Sequence, residues 1–191
     1  EDSVAGVGTA GTLLFMIMAL TQVLGVSAVA MISQAVGKKD QQQATLVFNQ
    51  SLVLSGICAL ITVLGGYLFA EPYLSNIAAD EGSLREGLTF LYWFLPGMAL
   101  QFAMMAMASS LRATGIVKPA MLIQVITVVL NTILAPILIA GWGPGPALGV
   151  MGAGLASTIS IAVGVVLLTL YFIKLEKYVS FETKLWKPRF D

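Results

Sequence analysis

Four stretches of this chain carry no charged side chain: residues 3–37, 41–70, 87–111 and 119–173. A helix needs about 20 apolar residues to cross a bilayer, because each residue rises 1.5 Å and the hydrocarbon core is roughly 30 Å thick. A charge at the centre of such a helix costs on the order of 3 kcal/mol even on the lenient insertion scale. Uncharged runs of this length therefore predict transmembrane helices, at about residues 6–35, 44–69, 85–111, 118–141 and 150–173. The last two share one run, divided at Gly141-Trp142-Gly143-Pro144-Gly145-Pro146, which no membrane helix crosses intact. The expected fold class is all-α integral membrane, with about five transmembrane helices.

Composition supports this and removes several kinds of chemistry. Apolar residues make up 58% of the chain and charged residues only 10%, against about 25% charged in soluble domains, and the mean hydropathy is +0.89. Net charge is zero, so no basic surface invites nucleic acid. The chain has no histidine and one cysteine, Cys58, which rules out an intrachain disulfide, His-based proton relays and the usual zinc sites. A membrane enzyme would need a nucleophile, an acid or metal ligands in or beside the spans, and the spans supply only hydroxyls and amides. No catalytic residue, metal ligand or cofactor is expected. Gly149, Gly152 and Gly154 follow no strand and have no basic companion, so they read as close-packing positions rather than a phosphate loop.

The charges that remain are sorted by end. Lys38, Lys39, Arg112, Lys118, Lys174, Lys177, Lys184, Lys187 and Arg189 fall at one end of the predicted helices, leaving Arg85 among Glu71, Asp80, Glu81 and Glu86 at the other. The positive-inside rule makes the basic end cytoplasmic, with the first residue outside and the last inside. A chain that starts Glu1-Asp2-Ser3 on the outer side, without methionine or signal peptide, reads as a fragment lacking at least one preceding helix. Residues 174–191 mix lysines with Tyr178, Phe181, Trp186 and Phe190, as an interfacial cytoplasmic linker or short amphipathic helix would. Tyr67, Phe69, Tyr73 and Trp142 gather at outer helix ends, like an aromatic belt.

Uncharged polar residues within the spans are the remaining candidates for function. Gln124, Thr127 and Asn131 share one face of the fourth helix, and Pro136 frees the carbonyl of Thr132 and predicts a kink. Ser157, Thr158 and Ser160 lie shortly after the start of the fifth helix, at a depth similar to that of Asn131, so the two helices can meet there. Two readings fit: a polar cavity wall, or ordinary helix–helix hydrogen bonds worth about 1 kcal/mol. Gln101 and the cluster Met98, Met104, Met105 and Met107 on the third helix divide the same way, between an adaptable binding surface and apolar filler. Ser33 and Gln34 are expected to hydrogen-bond to Asn49 and Gln50 across the first hairpin.

Three segments resemble the multidrug and toxic compound extrusion (MATE) transporters. Gly25-Val-Ser-Ala-Val-Ala-Met-Ile-Ser-Gln-Ala-Val-Gly37 with its charged turn is similar to the end of the family's second helix. Ser110-Leu-Arg-Ala-Thr-Gly115 with Lys118-Pro119 is similar to the turn between helices four and five. Asn131 through Pro136 to Gly141, then Ala147-Leu-Gly-Val-Met-Gly-Ala-Gly-Leu-Ala156, resembles helix five passing into helix six. The resemblance spans nearly the whole chain.

It implies most of one six-helix lobe of a twelve-helix protein, residues 1–173, with 174–191 leading toward a second lobe. The implied activity is antiport: export of small amphipathic or cationic compounds from a bacterial inner membrane against an inward proton or sodium gradient. The site would lie between lobes near mid-membrane. In the proton-coupled branch an asparagine, then an aspartate four residues on, precede a proline. Asn131 and Pro136 match, but Ala135 stands at the aspartate position. A helix-six threonine of that site matches Thr158, with Ser157 a near rival, and its second aspartate belongs to a helix outside this chain. The implied site is therefore Asn131, Thr158, Gln124, Thr127, Pro136, Ser157, Met98 and Gln101, with no metal. The rival within the superfamily, a flippase for lipid-linked saccharides, would place cationic residues in its cavity to hold pyrophosphate, and these spans have none.

Overall fold

The structure, a computed structural model, describes residues 2–76, 78, 80–141, 147–174 and 178–186, without the side chains of 2–10, 12, 13 and 183. Five helices follow in order: α1 (Asp2–Gly37), α2 (Gln41–Ser75), α3 (Glu81–Ala113), α4 (Val117–Ala140) and α5 (Gly149–Lys174). A short 3-10 turn, Thr183–Leu185, comes after them. All five are long and apolar enough to cross a membrane, and no strand occurs among the described residues. The helices run a few residues past the uncharged runs because their ends project into the polar interface, where charge costs little.

The turns carry their own stop and start signals. Asp40 caps α2, its carboxylate accepting from the Gln43 N–H at 2.9 Å. Asp80 caps α3, accepting from the Ser83 N–H at 2.6 Å. Each cap satisfies one of the donors a helix start leaves unpaired. The α1–α2 turn passes through Lys39 at φ 59°, and α4 ends on Gly141 at φ 67°, a left-handed closure that glycine adopts without strain. Trp142–Pro146 and the tail residues Lys177, Lys187, Arg189 and Phe190 lie outside the described residues.

Helix α3 is the axis of the bundle, packing against α1, α2 and α5, while α4 lies mainly along α5. It is the least apolar helix by hydropathy and the most enclosed. Half of its most apolar stretch is buried, against 11% for α2 and for α4. Leu60, Ile61, Leu68, Met121, Val125 and Val128 of the peripheral helices are exposed. At the acidic end a core forms from Ala70, Leu74, Phe90, Leu91 and Leu95.

At the basic end the core includes Ile32, Phe48, Leu111, Leu168 and Phe172, and it extends into the tail through Val179. Phe48 stacks on Phe172 with centroids 4.9 Å apart, and Phe181 tilts against both at 5.4 and 5.5 Å. Asn49 is fully buried beneath this tail. Its Nδ2 donates to the Ser180 carbonyl (2.9 Å) and the Thr45 carbonyl (2.8 Å), while its Oδ1 accepts from the Glu182 N–H (3.0 Å) and Trp186 Nε1 (2.9 Å). Gln50 donates to the Leu185 carbonyl at 2.5 Å, and Gln41 to the Tyr178 carbonyl at 3.0 Å. The expected hairpin bonds from Ser33 and Gln34 to Asn49 and Gln50 are therefore replaced. Ser33 Oγ donates to its own helix at the Ala30 carbonyl, and α2 spends its amides on residues 178–185.

Candidate functional site

The polar face read along α4 does meet α5, and glycine makes the approach possible. A Cβ on Gly164 would stand 2.6 Å from Thr127 Oγ1 and 3.2 Å from Met104 Sδ, so α3, α4 and α5 converge at a position that admits no side chain. Thr127 is buried, and its hydroxyl donates back to the Ile123 carbonyl at 2.9 Å. Four residues further along α4, Asn131 Nδ2 donates to Ser157 Oγ at 2.9 Å, and Ser157 Oγ donates in turn to the Ala153 carbonyl at 3.2 Å. A side-chain relay thus links the two helices by an amide and a hydroxyl.

These residues line a cleft of about 450 Å³ between α3, α4 and α5. Gln101 on α3 and Gln124 on α4 stand in its wall with Thr127, Asn131 and Ser157, and neither glutamine amide has a hydrogen-bond partner among the described residues. The described lining carries no ionisable side chain. Amides and hydroxyls can orient a ligand by hydrogen bonds while Phe94, Met104 and Ile161 of the same wall hold its apolar part.

Three expected residues fall elsewhere. Thr158 points away from Asn131: its hydroxyl donates to the Trp93 carbonyl of α3 at 2.6 Å, and its backbone packs on Gly97. Adjacent helical positions are rotated by about 100°, so only one of Ser157 and Thr158 can face α4, and it is Ser157. Met98 is 2% exposed within α3 and does not reach the cleft. Pro136 lies within a helix that continues to Ala140 and is likewise absent from the wall. The spacing did hold a signal for residues the site reading omitted. Phe94 and Met104 sit at i−7 and i+3 from Gln101, and Ser160 at i+3 from Ser157, each on the same helical face.

Comparison with known proteins gives the arrangement a context. The sequence model of the MatE family matches residues 1–137. The chain is 26% identical over 184 residues to the probable multidrug resistance protein YoeA of Bacillus subtilis, covering 95% of this chain and 39% of that protein. It is 33% identical to the multidrug export protein MepA of Staphylococcus aureus, covering 90% and 37%. It is 30% identical to the FAD transporter of Shewanella oneidensis, covering 68% and 28%. The chain thus spans about two fifths or less of the length of these relatives.

Among solved structures, an outward-facing multidrug resistance MATE transporter superposes with a TM-score of 0.91 at 25% identity, covering 99% of this chain and 41% of that one. An inward-facing one superposes at 0.90, also at 25% identity, covering 98% and 42%. The model match over most of the chain, with five membrane-length helices in the matching arrangement, shows that this multi-pass membrane protein belongs to the MatE family of transporters.

Proposed function

We propose that the chain forms the substrate- and ion-facing wall of a secondary transporter that exports small amphipathic or cationic compounds. The observation that carries this reading is the α3–α4–α5 cleft, where Asn131 and Ser157 join hands beside two glutamines whose amides have no partner among the described residues. Its mixed apolar and acceptor-bearing lining, with no cation among the described residues, suits an amphipath better than a pyrophosphate or a dinucleotide, for which basic residues would be needed. In this reading the basic end faces the cytoplasm of a bacterial inner membrane.

The chain also matches inward- and outward-facing neighbours almost equally well. That supports alternating access in which these helices move as one body against a partner lobe. Coupling to protons or sodium requires a carboxylate, and residues 1–191 place none in the middle of a span, with Ala135 at the position where the family's proton-coupled branch has aspartate. In this reading the coupling acids lie outside these residues.

The test is export of ethidium from cells expressing the full-length protein, with pH and sodium varied separately. Asn131→Ala is expected to lower the export rate about tenfold, the cost of about one charge-assisted hydrogen bond. Export at the wild-type rate by that variant, at normal expression, would remove Asn131 from the transport path. Ala135→Asp is expected to alter the pH or sodium dependence.

A further inference from the structure

The axial helix α3 has a break in its hydrogen-bond ladder at mid-length. Pro96 stands about halfway between Glu81 and Ala113, and it has no N–H for the carbonyl four residues back, that of Tyr92. A backbone carbonyl freed at membrane depth needs a donor from elsewhere in the protein. Two hydroxyls reach this point from two different helices. Tyr67 Oη of α2 donates to the Tyr92 carbonyl at 2.9 Å, and Thr158 Oγ1 of α5 donates to the next carbonyl, that of Trp93, at 2.6 Å.

Close packing holds both donors in place. The rings of Tyr67 and Tyr92 stack with centroids 5.4 Å apart, and Gly66 beside Tyr67 leaves the room that Leu95 fills. On the other side Thr158 packs on Gly97, and a Cβ on Gly154 would stand 2.9 Å from the Phe90 carbonyl oxygen. Proline alone does not bring such donors. Pro72 and Pro136 also lie inside helices, yet the carbonyls four residues before them, those of Leu68 and Thr132, receive no side chain from another helix among the described residues.

The break divides the wall of the α3–α4–α5 cleft. Phe94 lies two residues before Pro96 and Gln101 five after it, and both line that cleft. Seven residues apart, they share one face of α3. A helix that lacks a rung bends most readily at that rung, so bending here changes the spacing of Phe94 and Gln101. Tyr67 holds the break from α2 and Thr158 from α5, and a tilt of the first half of α3 stretches one bond or the other.

We propose that Tyr67 and Thr158 are paired clamps on the α3 break, positioning residues that keep Phe94 and Gln101 at a fixed spacing. Their effect on α3 stands by itself, whereas their consequence for export rests on the reading of the cleft as a transport wall. The clamps make one body of a bundle whose central helix is interrupted.

Hydrogen exchange of the full-length protein in lipid nanodiscs tests this. Tyr67→Phe keeps the ring stack and Thr158→Val keeps the volume, so each removes little beyond the donor. Each is expected to speed exchange of amides 97–99 about tenfold, while amides around Ile32 of α1 keep their protection. Thr158→Ser is expected to restore the wild-type rate. Pro96→Ala returns an N–H to the Tyr92 carbonyl, so in that background Tyr67→Phe is expected to change exchange less than about twofold. Rates at 97–99 within about twofold of wild type in both single variants would overturn the clamps. So would a Tyr67→Phe effect as large with Pro96→Ala as without it, or equal acceleration in α1. Should Thr158→Val fail to fold, the Tyr67 and Pro96 variants decide alone. In cells, loss of both donors is expected to raise the ethidium concentration for half-maximal export. Faster exchange with unchanged export would uphold the clamps and count against the cleft as the transport path.

Discussion

Replacing Asn49 by alanine should loosen the tail without unfolding the bundle. The carboxamide makes three hydrogen bonds to the tail, to the Ser180 carbonyl, the Glu182 N–H and Trp186 Nε1. Each is worth about 0.5–1.5 kcal/mol net. Ser180, Glu182 and Trp186 are themselves exposed, so water can take over from Asn49 once the tail lifts, which puts the loss toward the lower end, about 2 kcal/mol. That corresponds to about a 30-fold rise in the detached population. Val179 and Phe181 keep their apolar contacts, so detachment remains a minority state.

Amide hydrogen exchange reads this directly. The Glu182 amide should exchange about 30-fold faster in Asn49→Ala, while amides in the middle of α3 keep their protection. Emission from Trp186 should shift to the red as its indole exchanges the amide oxygen for water. An exchange rate at Glu182 within about twofold of wild type would refute the anchoring role. Equal loss of protection at Glu182 and in α3 would show instead that Asn49 supports the core as a whole.

Two further outcomes follow from the packing and the caps. Gly97→Ala would put a Cβ 2.8 Å from Thr158 Oγ1 and 3.0 Å from Thr158 Cα. A backbone atom cannot yield as a side-chain tip can, so the substitution should cost about 1–3 kcal/mol in thermal unfolding, and Thr158→Ala should recover only part of it. The backbone N–H of Ser83 holds the Asp80 carboxyl below its ordinary value. A folded pKa lowered in this way contributes stability above the unfolded carboxylate range, and that contribution disappears as pH falls through the lowered value. The difference in unfolding temperature between wild type and Asp80→Ala should therefore be present at neutral pH and vanish in strong acid. A difference that persists there would assign the cap's effect to something other than the charge.

The fold class was legible because a bilayer imposes one demand, the exclusion of charge over about 20 residues, and the uncharged runs meet it without reference to contacts. Gln124, Thr127 and Asn131 were legible as a face because helical periodicity is local. Which residue of α5 answers Asn131 was not. Ser157 and Thr158 differ only in azimuth, and azimuth is set by how α5 rolls against α3, where Gly97 and Gly154 let it approach. Asn49 was misread for a related reason. Its partners beyond its own helix lie 131 to 137 positions away in sequence, in a tail whose composition suggested an interface helix and whose fold-back packs Phe181 against Phe48 and Phe172.

That fold-back has a mechanical side. The tail leaves α5 but is fastened to α2 through Asn49, Gln41 and Gln50. A pull on the chain beyond Trp186 is thus resisted by several bonds loaded in parallel across α2, before any of it reaches the last turn of α5. The fastening works as a strain relief on a cable does, passing displacement to the bundle as a body while sparing the helix end from being unwound one residue at a time.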